Sequence, residues 1–223
     1  MVETYSRSNP RMQKNRNTIL RLCLYKNALN RFKALGFSKI FSDYLADSTG
    51  TSSAVVRKDF SLFKISGNKR GGYQIDSSIE RINLLLSKDK VHKVILVGAG
   101  NLGSALMKYR NFEREGMKID AVFDLDPAKI TSKFRIPIFH IDKMKEYVAR
   151  NGIEIGIMAV PDIAAQDALD RMIDAGIKGV LNFAPIQLKA PQNCIINNVN
   201  LAIELENLIY YVEKAKSTEQ EDS

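Results

Sequence analysis

The sequence predicts an α/β chain in two parts: a small, basic, mainly helical domain, then a doubly wound parallel sheet that closes with an amphipathic helix. Three observations carry this. Val94-Ile-Leu-Val97, with three β-branched residues out of four, runs straight into Gly98-Ala-Gly100-Asn-Leu-Gly103 and then a helical pattern. Further β-type runs follow, separated by helical stretches of about ten residues or more, which is the signature of β-α-β units. The charge is also lopsided: residues 1–90 hold 17 Lys/Arg against 7 Asp/Glu, and residues 91–223 hold 16 against 18. The boundary falls near residue 90, in the polar stretch Ser87-Lys-Asp-Lys90.

The totals narrow the function classes. No apolar stretch reaches the roughly 18 residues that a membrane span needs, and the polar, basic start is unlike a signal segment. A cytoplasmic protein with no membrane partner is expected. Cys23 and Cys194 lie far apart, and His92 and His140 are isolated, so no metal site and no Ser/His/Asp arrangement is expected. No residue is assigned a catalytic role.

In chain order, residues 1–16 carry Arg7, Arg11, Lys14 and Arg16 among polar residues and read as a flexible basic arm. The winged-helix domain is expected over 17–86. Ile19, Leu22, Cys23, Leu29 and Phe32 recur at helical spacing over 17–35, and Gly36 suits the stop. A short helix starts at Ser42 and ends near Thr49-Gly50; a third starts after Thr51 or Ser52 and runs through Val56, Phe60 and Phe63. Three helices with a short turn between the last two match a helix-turn-helix, whose third helix enters the major groove. Ser52, Ser53, Arg57 and Lys58 then face DNA; the bland alternative is that Arg57 and Lys58 only solvate the helix or pair with Asp59. Residues 64–75 read as two strands around a glycine-rich basic tip, a wing that carries Lys69 and Arg70 toward a minor groove. A linking helix is expected over 78–86.

The second domain is expected over 91–199. Gly98 makes the tight turn, Gly100 lets backbone approach a pyrophosphate, and Gly103 lets the helix pack close to its strand, with Ala99, Asn101 and Leu102 completing the cradle. The alternative is a tight strand-to-helix turn without a ligand. Asp124 ends the next strand, 21 residues past Gly103, where a carboxylate receives a ribose 2′-OH and repels a 2′-phosphate. NAD or NADH is therefore expected rather than NADP. Strands over 136–139, 153–160 and 179–182 alternate with helices over 142–150 and 162–175. Ligands lie at the carboxyl ends of such strands, which adds Val160, Pro161, Asn182 and Phe183 to the candidates. A final helix over 200–216 shows an apolar face of Leu201, Leu205, Leu208, Ile209 and Val212, suited to its own sheet or to a second subunit; residues 217–223 read as a disordered tail.

Arg57-Lys-Asp-Phe-Ser61 with the basic wing, Val97-Gly-Ala-Gly-Asn-Leu-Gly103, Phe123-Asp-Leu-Asp-Pro127, Val160-Pro161 with Ala165-Gln166, and Ala175-Gly-Ile-Lys-Gly179 leading to Asn182-Phe-Ala-Pro185 together resemble the Rex family. These are bacterial redox-sensing transcriptional repressors. The resemblance implies a homodimer on a palindromic operator, released from DNA by NADH and permitted to bind by NAD. It implies that the last helix is exchanged between subunits, and that Tyr210 or Tyr211 approaches the partner's nicotinamide. It also places Tyr109 near the dinucleotide and Arg21 in the same switch region. Three positions depart from the family pattern: Phe63-Lys64 stands where Phe-Gly is common, Lys69-Arg70-Gly71-Gly72-Tyr73 alters the wing, and Asn200 replaces an Asp. Two other classes stay open, an NAD-dependent oxidoreductase and a CoA-binding module, the latter because Ala175–Gly179 also resembles CoA-binding domains.

Overall fold

A computed structural model describes residues 10–68, 71–86, 90–126 and 135–221. The chain divides into two compact units, Met1–Val91 and His92–Ser223. In the first, α1 (Pro10–Ala34) is followed by β1 (Lys39–Ile40), α2 (Ser42–Asp47), α3 (Ser53–Leu62), β2 (Gly67–Asn68), β3 (Gly72–Gln74) and α4 (Ile75–Leu85). Leu22, Tyr25 and Leu29 of α1, Leu45 of α2, Val56 and Phe60 of α3, and Ile75 and Ile82 of α4 are all buried in one core. β3 lies between β1 and β2, antiparallel to both. This is a winged helix.

Two boundaries move. The arm expected over 1–16 gives way to helix from Pro10, because proline at a first helical position lacks only an N–H that has no partner there anyway. Residues 1–9 lie outside the described residues. The linking helix begins at Ile75 rather than Ser78, since Ile75 is buried in the core and the Ser78 hydroxyl donates to the Gln74 carbonyl at 2.7 Å.

In the second unit β4 (His92–Val97), α5 (Asn101–Met107), α6 (Asn111–Arg114), β5 (Met117–Asp124), β6 (Ile138–His140), α7 (Met144–Asn151), β7 (Ile155–Met158), α8 (Asp162–Asp174), β8 (Gly179–Asn182), β9 (Ile195–Asn198) and α9 (Leu201–Glu221) follow in order. The strands pair in parallel as β6-β5-β4-β7-β8-β9, the Rossmann order in which direction reverses beside the first strand. Ile95 and Val97 face one core with Phe123, Met158 and Leu169. Val94 and Leu96 face the other with Val122 and Ile157. Burial on both sheet faces explains why β4 is continuously apolar from Val94 to Val97. β9 was not expected, and α9 runs through to Glu221, so helix replaces the disordered tail over 217–221. Every α9 residue from Leu201 to Ser217 is exposed, so in the single chain the apolar face does not dock on its own sheet.

Candidate functional sites

The cleft grows from the first β-α-β step of the second unit. The chain leaves β4 and turns at Gly98, whose φ of +95° is left-handed. A Cβ at Gly98 would collide with the Ala159 carbonyl beyond β7, and one at Gly103 with the Gly98 carbonyl. A Cβ at Gly100, by contrast, would meet nothing within 4 Å. Two glycines thus let protein approach protein, and the third leaves room over the turn. The first bond of α5 runs from the Ser104 N–H to the Gly100 carbonyl at 2.8 Å, so the N–H groups before it point out of the helix end, as anion sites require.

A cavity of about 590 Å³ opens over this turn, lined by Gly98, Ala99, Gly100, Asn101, Asp124, Val160 and Pro161. Asp124 holds it together. Its Oδ2 accepts the Ala99 N–H at 2.8 Å and its Oδ1 accepts the Asp126 N–H at 2.8 Å. Each carboxylate oxygen has a further lone pair, so the group fixes the turn and can also accept from ribose hydroxyls. Ser104, Lys108, Leu125, Asp126, Ile141 and Asp167 line the same cavity and had not been foreseen. Asn101, Ser104 and Lys108 recur at helical spacing, the one sequence signal that α5 turns a polar side to the cleft.

Other candidates fall elsewhere. Leu102 and Gly103 belong to α5 but do not line the cavity. Asn182 is fully buried: its Nδ2 donates to the Ala184 carbonyl at 3.1 Å and to Asn198 Oδ1 at 2.9 Å, while its Oδ1 accepts the Ala184 N–H at 2.8 Å. One donation ties β8 to β9 and the other holds the loop that follows β8. Phe183 packs into the Val94/Leu96 core. Tyr109 is half exposed and edge-on to Phe112, and Tyr210 and Tyr211 stand exposed on α9. Neither histidine lines the cavity.

In the first unit, Ser52 caps α3 by accepting the Val55 N–H at 3.3 Å. Ala54, Arg57, Lys58, Ser61 and Leu62 form the exposed side of α3, opposite buried Val56, Asp59 and Phe60; Ser53 is half-buried. Arg57 does not pair with Asp59. Its Nη1 donates to the Ser42 hydroxyl at 3.0 Å. Asp59 instead points inward, where it accepts Arg21 Nε at 2.6 Å, Arg21 Nη2 at 2.9 Å and the Tyr25 hydroxyl at 3.0 Å. Burial and the adjacent carboxylate push Tyr25 up to about 12, and the bond to Asp59 raises Arg21. Asn200 Oδ1 accepts the Ala202 and Ile203 N–H groups at 3.0 and 3.2 Å and so caps α9. Lys69 and Arg70, expected to carry charge on the wing, lie outside the described residues. Among the described residues, no helix is long and apolar enough to cross a membrane, and no three His, Cys, Asp or Glu side chains gather to hold a metal.

Comparison with known proteins sharpens this picture. A family model described as "Putative DNA-binding protein N-terminus" matches residues 16–61, and one described as "CoA binding domain" matches residues 89–186. The chain is 39% identical over 197 residues to the redox-sensing transcriptional repressor Rex of Listeria welshimeri, covering 88% of this chain and 92% of that one. The chain belongs to the Rex family. Among solved Rex structures, RSP in complex with β-NAD+ and operator DNA matches with a TM-score of 0.84 at 31% identity, over 92% of this chain and 94% of that one. RSP in complex with β-NADH matches with a TM-score of 0.80 at 31% identity, over 92% and 96%.

Proposed function

We propose that this chain is a homodimeric, cytoplasmic repressor that binds a palindromic operator and reads the NADH/NAD ratio, NADH releasing it from DNA. The observation that carries the reading is Asp124 at the end of β5, bonded to Ala99 in the turn beneath the open space at Gly100. A dinucleotide fits these residues: the α5 N-terminus and the Gly98–Gly100 backbone hold the pyrophosphate, and Asp124 accepts from the ribose diol. Bound there, the nicotinamide supplies a charge that is positive when oxidised and neutral when reduced. Ala159, Val160 and Pro161 offer an apolar wall, against which a positive ring is costlier to desolvate. Moving the protein from mostly bound to mostly free requires a differential interaction of about 3–5.5 kcal/mol. Two features support a dimer seam through α9: its exposed apolar face, and the tyrosines Tyr210 and Tyr211 on it.

Binding rather than turnover fits the cleft. The curated relatives are named repressors, and neither histidine stands where a proton-transfer pair would be needed. The match to a CoA-binding model favours a second reading, CoA as ligand. Asp124 opposes it, because the adenosine ribose of CoA carries a 3′-phosphate that a carboxylate repels. A gel-shift series on the protein's own upstream region, with NADH, NAD, NADPH and CoA titrated, tests both. Release by NADH alone is expected; release by CoA with no response to NADH overturns the reading.

A further inference from the structure

α3 ends in a way that its sequence should resist. Phe63 is the cap, and the next residue, Lys64, takes φ +55°, the one non-glycine with positive φ among the described residues. The Lys64 N–H donates to the Ser61 carbonyl at 3.1 Å and the Ile65 N–H to the Phe60 carbonyl at 2.8 Å. This is the Schellman pattern, and Lys64 occupies the position that glycine fills because a Cβ strains a left-handed backbone. The surroundings impose the conformation. Ile65 is buried in the core, and Arg81 Nε donates to the Phe63 carbonyl at 3.0 Å.

A residue kept in an unfavourable conformation marks a place where its side chain is wanted. Here that side chain is an exposed cation at the joint between α3 and the wing, following Arg57, Lys58 and Ser61 along the helix. We propose that Lys64 is a DNA phosphate contact, placed where the recognition helix hands over to the wing and maintained at a cost in stability. This rests on the repressor reading given above. The competing account is that Lys64 only complements the negative end of the α3 dipole.

Full-length Lys64→Gly and Lys64→Gln separate the two. Melting temperature is measured alongside affinity for an operator duplex and for a scrambled duplex of equal length, across a sodium chloride series. Lys64→Gly is expected to melt about 2–6 °C higher, since the strain is removed. Both variants are expected to bind both duplexes severalfold more weakly, each with a log–log salt slope shallower by about 0.9, the loss of one phosphate contact. A Lys64→Gly protein with raised melting temperature and wild-type affinity and slope overturns the proposal, as does one with no gain in stability. Failure of the wild-type protein to bind operator overturns the repressor reading instead.

Discussion

The cleft and the DNA face are built from opposite materials. The turn at the cleft is made of backbone: N–H groups at the start of α5, carbonyls of Gly98 and Ala159, and missing Cβ atoms, with one carboxylate locking it. The DNA face we propose is made of side chains that project from α3, and what the fold supplies is a buried anchor, Asp59, on the helix's other side. A site made of backbone fails by steric intrusion, abruptly. A site made of projecting side chains fails contact by contact, unless its anchor goes.

The anchor therefore gives the largest expected effect. Arg21→Ala leaves the Asp59 carboxylate, only 4% exposed, still accepting from the Tyr25 hydroxyl but without its guanidinium partner. Losing one partner of such a pair costs about 3–5 kcal/mol, so chemical denaturation should place the first unit's transition far below wild type while the second unit's barely moves. Equal loss in both units would mean that the two do not unfold separately.

Gly98→Ala comes next and strikes only the other site. A methyl there must displace the Ala159 carbonyl and accept φ +95°. The variant should still bind operator, and NADH up to high concentration should not release it. Release at the wild-type NADH concentration would show that the turn yields, and the contrast between abrupt and graded failure would collapse.

Arg57→Ala tests the graded side. The expected loss is about 1–3 kcal/mol on the operator, measured by gel shift, with relaxed selectivity at one base position. Changing Lys69 or Arg70 should weaken binding to all sequences alike and flatten the salt dependence. An Arg57→Ala protein that binds like wild type would remove α3 from the groove.

What could be read in advance follows the same division. The three glycines, Asp124 and the strand alternation were legible because backbone requirements leave few residue choices: Gly98 and Gly103 have no room for a Cβ. The helical exposure of Arg57 and Lys58 was legible from periodicity. Side-chain partnerships were not. Asp59 was a candidate partner for its neighbours Arg57 and Lys58, but sits about 160° around the helix from the first and about 100° from the second; it turns into the core to meet Arg21, 38 residues away. Asn182 sits at a strand end, where ligands bind, yet its amide is consumed by Ala184 and Asn198 on a strand that sequence did not reveal. β9 was invisible because Ile-Ile-Asn-Asn lacks alternation and asparagine is depleted in strands. Lys108, Asp126 and Asp167 reached the cleft through helix and loop directions that only the fold sets.

The smallest effect concerns proton linkage at the anchor. Tyr25 is buried with its hydroxyl 3.0 Å from Asp59 Oδ2, and its pKa is pushed from 10.0 up to about 12, by burial first and by the carboxylate second. A tyrosine that stays protonated to higher pH when folded contributes stability that is complete below pH 10 and fades as pH rises toward 12. The first unit should therefore weaken across that window as the unfolded chain ionises and the folded one resists. Tyr25→Phe keeps the ring beside Phe60, so near pH 7 it should cost only the hydrogen bond, about 1 kcal/mol, somewhat more because the acceptor is charged. Its alkaline stability loss should then be shallower than wild type between pH 10 and 12. Urea midpoints of both proteins at pH 7, 10 and 11 measure the difference, and parallel losses would place the titrating group outside the Arg21–Asp59–Tyr25 cluster.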